Sequence, residues 1–341
     1  MSQKRRFAVG IIAVAVILAV GAGWYFFRDS RPPGEIELSL PIACTLGEDC
    51  FIQQYVDLDP SPAANDYNCG SATYNGHKGT DFRIRTLADV TRDVPVIASA
   101  AGRVTALRDD VADHLVKSEA DRAAIKDKDC GNGVVLTHSG GWQTQYCHLR
   151  EGSVAVKKGA EVQRGDRLGF VGYSGNAAFP HVHLSLRKDG KAVDPFRGID
   201  GGPACGEGSV PLWSPQVLAQ MRYEPSKLLG IGFSDAAVKT RQLETGSLQA
   251  FVPSTSSKAL VSWGWAINLK KDDLIVTALH SPQGEIARNT TTLKSDKAQS
   301  ILFAGKKRPA GGWTPGRYRA VFSIVRDGKA LIEAEQAVEI D

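Results

Sequence analysis

The chain has 341 residues, enough for two ordinary domains and a tail. Hydrophobic residues make up 43% and charged residues 23%, which are values of a globular protein and not of a disordered or collagenous one. The net charge of +4 is a mild excess, and no dense basic run follows the first six residues, which argues against nucleic acid as a partner.

Lys4, Arg5 and Arg6 precede an apolar run from Phe7 to Phe27 that holds neither charge nor proline. That run is long enough to cross a bilayer as a helix. The cationic flank predicts that the chain after Arg28 lies across the membrane from the cytoplasm, with Trp24 and Tyr25 in an aromatic belt. A cleaved signal peptide is the rival reading, because Val20-Gly21-Ala22-Gly23 offers small residues for a cut. The uncleaved inner-membrane anchor is preferred, since the apolar run continues past that point. Both readings place the body in the periplasm.

In that compartment Cys44, Cys50, Cys69, Cys130, Cys147 and Cys205 read as a disulfide framework. The sequence does not choose among the pairings. Cys44–Cys50 as a local loop, Cys130–Cys147 across a hairpin and Cys69–Cys205 by elimination are the expected set. No C-x-x-C spacing supports thiolate zinc instead.

A linker at 29–35 with the turn signal Pro32-Pro33-Gly34 leads into a first domain expected over 36–215. Val94 to Leu107 alternates loosely around Gly102. Val134 to Thr137, the turn Ser139-Gly140-Gly141, and Trp142 to Tyr146 read as a hairpin. Val154 to Gly172 holds very short strands closed by glycines, so the domain is expected to be mainly β, a sandwich or barrel. Asp109 to Lys128 lacks glycine and proline, carries Val111 and Leu115, and predicts an inserted helix. It reads as a surface elaboration or as a lid or regulator-docking site. A linker over 216–245 precedes a second β domain at 246–341, expected to be a small immunoglobulin-like sandwich for binding or regulation. There Val261, Trp263, Trp265 and Ile267 share one strand face, and Asp327-Gly328 forms a hairpin turn.

Of seven histidines, His114 and His280 stand alone and His138 ends a strand beside a turn, so all three read as surface or structural. The other four sit in GHKGTDF (His77, with Asp81), QYCHL (His148) and FPHVHLSLR (His181, His183). On a strand, His181, His183, Ser185 and Arg187 point to one face, while Val182, Leu184 and Leu186 point to the other and form core. Two imidazoles and a carboxylate suit a catalytic zinc site with one position left for water. Such a site brings bound water toward a pKa of about 7. The spare histidines then handle protons, because no H-E-x-x-H glutamate is present.

GHKGTD, QYCHL and GYSGNAAFPHVHLSLRKDGKAVDP resemble the lysostaphin-like, or LytM-type, zinc metalloendopeptidases of peptidoglycan, over roughly Gly70 to Phe196. GNGVVLTH and VAVKKGAEVQRGDRLGFVG fit the same pattern in order. The resemblance implies an antiparallel β domain with a groove across its sheet. It implies His77, Asp81 and His183 as ligands of one zinc ion, and His148 and His181 as catalytic histidines. It implies peptide bonds of peptidoglycan stems or cross-links as substrate, with a D-alanyl–diaminopimelate cross-link as the guess for an anchored periplasmic enzyme. The second reading is a non-catalytic relative that activates another wall hydrolase, which would predict lost positions where all five are kept, or a latent form that keeps the zinc and is held closed by the inserted helix. A regulatory protein is the expected partner of the C-terminal domain or the inserted helix. Some relatives carry an additional asparagine ligand, but neither Asn65 nor Asn68 maps onto that role.

Overall fold

Short β-branched and aromatic runs broken by glycine build strands rather than helices here. The computed structural model describes residues 35–201, 205–206, 210–224 and 226–341. The apolar run from Phe7 to Phe27 lies outside the described residues. Among the described residues no helix is long and apolar enough to cross a membrane.

The first body runs β1 (Cys50–Gln54), β2 (Thr80–Ile84), α1 (Leu87–Val90), β3 (Pro95–Ile97), β4 (Gly102–Arg108), α2 (Glu119–Ala124), β5 (Asn132–Thr137), β6 (Trp142–Leu149), β7 (Glu161–Val162), β8 (Arg167–Phe170), β9 (His181–Lys188), β10 (Lys191–Val193) and α3 (Pro215–Leu218). Its main sheet has the order β1-β2-β9-β6-β5-β4-β7, with β10 paired to β9, and a two-stranded β3-β8 ribbon packs beside it. All the pairings of the main sheet are antiparallel. Strand β9 therefore sits inside the sheet. Val182, Leu184 and Leu186 are at most 1% exposed and join Phe82, Leu136, Tyr146 and Trp213 in one core. The alternation expected for FPHVHLSLR is the observed one.

The inserted segment is helical only over α2, which Ser118 caps by accepting from the Asp121 N–H. Upstream, the expected helix does not form because the polar groups there bond to the β body. The Val111 N–H donates to Asn132 Oδ1 at 2.8 Å. Asp113 accepts from the N–H groups of Tyr173 at 2.7 Å and Glu151 at 3.0 Å. Val111 and Val116 are buried, in place of a Val111–Leu115 stripe.

All three expected disulfides are present: Cys44–Cys50, Cys69–Cys205 and Cys130–Cys147. Bridging residues so far apart in sequence as Cys69 and Cys205 restricts the unfolded chain.

The second body contains β11 (Lys227–Ser234), α4 (Thr240–Thr245), β12 (Ala259–Leu269), β13 (Leu274–Ser281), β14 (Gly284–Thr292), β15 (Lys297–Lys307), β16 (Gly316–Arg326) and β17 (Lys329–Ile340). Sheets of order β11-β12-β15 and β14-β13-β16-β17 form a sandwich. Asp327 and Gly328, both at positive φ, turn β16 into β17 as expected. The expected face of β12 is also found, but it looks outward from the sandwich. Val261, Trp263, Trp265 and Ile267 pack with Leu243, Leu248 and Phe51, the last being on β1 of the first body. The opposite face carries Leu260 and Ala266 into the sandwich interior. Thus β12 is buried on both sides, and the two bodies fall in a single compact unit, Pro32–Asp341.

Gly264 lies where β12 meets Phe322 of the facing sheet, and a Cβ there would come within 1.9 Å of that ring. Gly264→Ala is expected to destabilise the fold by about 1–3 kcal/mol through overpacking. A lowered urea midpoint with an unchanged slope is the measurement that checks it.

Candidate active site

Strands β2 and β9 pair with Asp81 opposite His183 and Arg83 opposite His181. β6 lies on the other side of β9, with Cys147 opposite His183, so His148 follows directly. His77 comes from the glycine-flanked turn before β2. Gly79 is required there, because a Cβ would stand 2.4 Å from His183 Nε2.

Three ligand atoms converge. His77 Nε2 lies 3.2 Å from Asp81 Oδ1 and 3.2 Å from His183 Nδ1, and His183 Nδ1 lies 2.8 Å from Asp81 Oδ1. This is the only metal-type cluster of histidine and carboxylate among the described residues that contains no disulfide cysteine. A tetrahedral zinc with bonds of about 2.0–2.1 Å has ligand–ligand edges of about 3.3 Å, so the set fits the ion.

The protons of the imidazoles are fixed by their outer partners. His77 Nδ1 lies 2.6 Å from the Tyr55 carbonyl oxygen, which can only accept, so Nδ1 carries the proton and Nε2 presents its lone pair to the cluster. His183 is reversed. Its Nε2 sits 3.0 Å from the Ser185 hydroxyl, and Nδ1 faces the cluster. Holding a ligand's far nitrogen in this way orients the ring for a metal.

His148 and His181 flank the cluster, with ring centroids 4.5 Å apart. His148 Nδ1 donates to the Ser174 carbonyl at 2.8 Å, and His181 Nδ1 donates to the Phe179 carbonyl at 2.8 Å. Both therefore keep an unprotonated Nε2. Burial pushes the His148 pKa well below the usual imidazole value and that of His181 down to about 4, so both are neutral bases at neutral pH. His148 also has a positive φ of 64°. That left-handed conformation is costly for a non-glycine residue, and such strain gathers at functional sites. It is held by the His148 N–H donating to the Cys130 carbonyl and by the Gly172 N–H donating to the His148 carbonyl. The Cys130–Cys147 bridge ties the same two segments.

Asp81 is 3% exposed. Burial raises its pKa, but the surrounding imidazoles of His77, His181 and His183 outweigh that and hold the carboxyl well below its ordinary range.

The cavity over these groups holds about 320 Å³ and is lined by Gln54, Tyr74, Asn176 and Phe179 of the first body. Val116, Lys117 and Arg122 of the inserted segment form one wall, and Ala298 and Gln299 of β15 form another. Lys117 Nζ donates to Glu244 Oε1 at 2.8 Å and to the Ala178 carbonyl at 3.0 Å. The insert and the second body are thus joined at the cavity rim.

All five residues expected at the site are together. His114 and His280 lie elsewhere, beside Asp121 and Glu285. His138 departs from its surface reading. It is half-buried, with Nδ1 2.7 Å from the Ala101 carbonyl and Nε2 2.8 Å from the Thr144 hydroxyl. Asn65 and Asn68 stay in their own turn, bonded to Asp57, Asp59 and Asp66. Sequence reasoning missed Tyr74, whose ring lies 4.6 Å from that of His77. An aromatic so near His77 in the same glycine-rich turn was the available signal. It also missed the second body's share of the cavity, for which β15 carries no motif.

Residues 75–195 match the model of Peptidase family M23. An uncharacterized metalloprotease of Haemophilus influenzae is 32% identical over 120 residues, covering 35% of this chain and 20% of that protein. The peptidoglycan DD-endopeptidase ShyA of Vibrio cholerae is 39% identical over 67 residues, covering 20% of this chain and 15% of that protein. The matched stretch thus spans about a fifth of the length of these relatives. Among solved structures, the catalytic domain of the prophage-encoded M23 protein EnpA from Enterococcus faecalis is 21% identical, covering 50% of this chain and 98% of that one, with a TM-score of 0.29. The converging His77, Asp81 and His183, with His148 and His181, all lie within the stretch that matches the Peptidase family M23 model.

Proposed function

We propose that the chain is an exported zinc endopeptidase that hydrolyses peptide bonds in peptidoglycan stems or cross-links. The observation that carries this reading is the convergence of His77 Nε2, Asp81 Oδ1 and His183 Nδ1 beside two neutral histidines with free Nε2 atoms. The relatives described as DD-endopeptidases support peptidoglycan as substrate and D,D cross-links as the bond. Three disulfides support export, into the periplasm, with Phe7 to Phe27 as the membrane anchor.

Zinc held by His77, Asp81 and His183 would act as a Lewis acid on a scissile carbonyl and on water. Asp81 would neutralise part of such an ion's charge and leave it net positive. His148 and His181, neutral and acceptor-ready at Nε2, take a proton from the attacking water and return it to the leaving amine. Protonated at Nε2, either ring donates to the developing oxyanion. The carbonyls of Ser174 and Phe179 keep each ring aimed while this happens. A regulator that activates another hydrolase would need none of these groups, and all five are in place.

His183→Ala is expected to lose the single zinc that each wild-type chain carries, read by metal analysis of the purified protein. Wild-type protein free of metal would sink the assignment. His148→Ala should keep zinc yet lose about two orders of magnitude or more in hydrolysis, the scale of a missing general acid–base group. Mass spectrometry of products from purified sacculi, with and without chelator, reads that loss and identifies the bond cut. Unchanged turnover would remove His148 from the chemistry.

A further inference from the structure

Arg83 is 1% exposed, and it lies on β2 directly opposite His181. A guanidinium taken out of water needs compensation, normally from a carboxylate. Among the described residues Arg83 has no carboxylate partner within ion-pair distance. Its donors go instead to Gln53 Oε1, to the Arg85 carbonyl at 3.2 Å and to the Ile84 carbonyl at 3.3 Å. Its plane is held by two aromatic rings, Phe179 at 4.6 Å and Trp265 at 5.4 Å. The first ring belongs to the loop leading into β9, and the second to β12 of the C-terminal sandwich.

Phe179 then touches His181 twice. Its carbonyl accepts the His181 Nδ1 proton, and its ring lies 4.6 Å from the imidazole. The order in space is Trp265, Arg83, Phe179, His181. Each contact in this chain fixes a plane rather than a point, because a guanidinium between rings is held by its faces. The sandwich is anchored to the same place a second time, since Asn268 Nδ2 donates to the Gln53 carbonyl.

We propose that Arg83 is a positioning residue for His181, acting through Phe179, and that Trp265 of the C-terminal sandwich completes the device. The sandwich is then a working part of the peptidase. It holds the Phe179 carbonyl where it keeps the His181 proton on Nδ1 and leaves Nε2 free toward the cluster. The value of this arrangement to catalysis rests on the endopeptidase reading above; the coupling itself does not.

The test uses the full chain in Phe179→Leu, Trp265→Leu and Trp265→Phe forms. Both leucine variants should lower kcat about tenfold or more, as expected for a slightly misaimed group, with zinc content unchanged and, for Trp265→Leu, which lies outside the cavity lining, KM unchanged as well. Trp265→Phe, which keeps a ring face for the guanidinium, should recover most of that loss. In chain stripped of metal, nitrogen-15 shifts of labelled histidine should show His181 as the Nδ1–H tautomer in the wild type and as a mixture in the leucine variants. Because Trp265 is core and its leucine form can unfold, Phe179→Leu at a half-buried position decides if the two cannot be compared. An unchanged His181 tautomer with unchanged kcat in Phe179→Leu overturns the proposal, as does a fall in kcat that only tracks lost zinc. Wild-type chain that cuts no peptidoglycan would overturn the endopeptidase reading, while the tautomer result would still decide the coupling.

Discussion

Asp81 is a buried carboxylate, and it comes within reach of three imidazole nitrogens only because β2 and β9 pair in one register. With Asp81 opposite His183, its Oδ1 meets His183 Nδ1 and His77 Nε2 and stands 3.6 Å from His181 Nε2. A slip by one residue would turn Val182 and Leu184 toward the cavity and send both histidines into the core. The apolar face of β9 therefore fixes the metal-type cluster as firmly as the polar residues do. Core packing of Val182, Leu184 and Leu186 sets the register, and the register sets the chemistry.

The same logic assigns the histidines different duties despite their similar surroundings. A backbone carbonyl can only accept, so each ring that meets one has its tautomer decided. His77, His148 and His181 all give Nδ1–H to a carbonyl and present Nε2 inward. His183 alone presents Nδ1, because Ser185, two positions along the same strand face, takes its Nε2. His77 and His183 share the carboxylate between them. His148 and His181 are set back, buried and neutral, in position to exchange protons with a group bound at the cluster.

Much of this site was legible in the sequence because its parts follow short periods. Strand alternation alone placed His181, His183 and Ser185 on one face and the core on the other. The glycines of GHKGTD marked a turn tight enough to bring His77 onto Asp81, and Gly79 does lie against the His183 ring. The inserted segment was less legible. Helix propensity favoured a long helix, but Asp113 and Asn132 offer the backbone there partners on the β body, and tertiary hydrogen bonds override propensity. The left-handed turn at His148 was not legible, since the modest enrichment of histidine in that conformation singles out none of the seven histidines. Neither had the cavity wall at Ala298 and Gln299, which arises from docking two bodies.

The tryptophans of β12 show why that docking escaped a reading by alternation. Period two predicts that Val261, Trp263, Trp265 and Ile267 share a buried face, but it does not say against what they are buried. In a free sandwich that face would be the inner one. Here the inner face is taken by the smaller series Leu260, Ser262, Gly264 and Ala266, and Gly264 admits the Phe322 ring. The large series is left to cover Phe51, α4 and Arg83. A strand with two buried faces carries its bulk where the second partner lies. The bulk of β12 faces α4 and the peptidase body, so Trp265, which meets Arg83, stabilises the union of the two bodies rather than the sandwich alone. The guanidinium of Arg83 has its water replaced on one face by Trp265, so both the packing of the C-terminal body and the solvation of a buried charge beside the site depend on one interface.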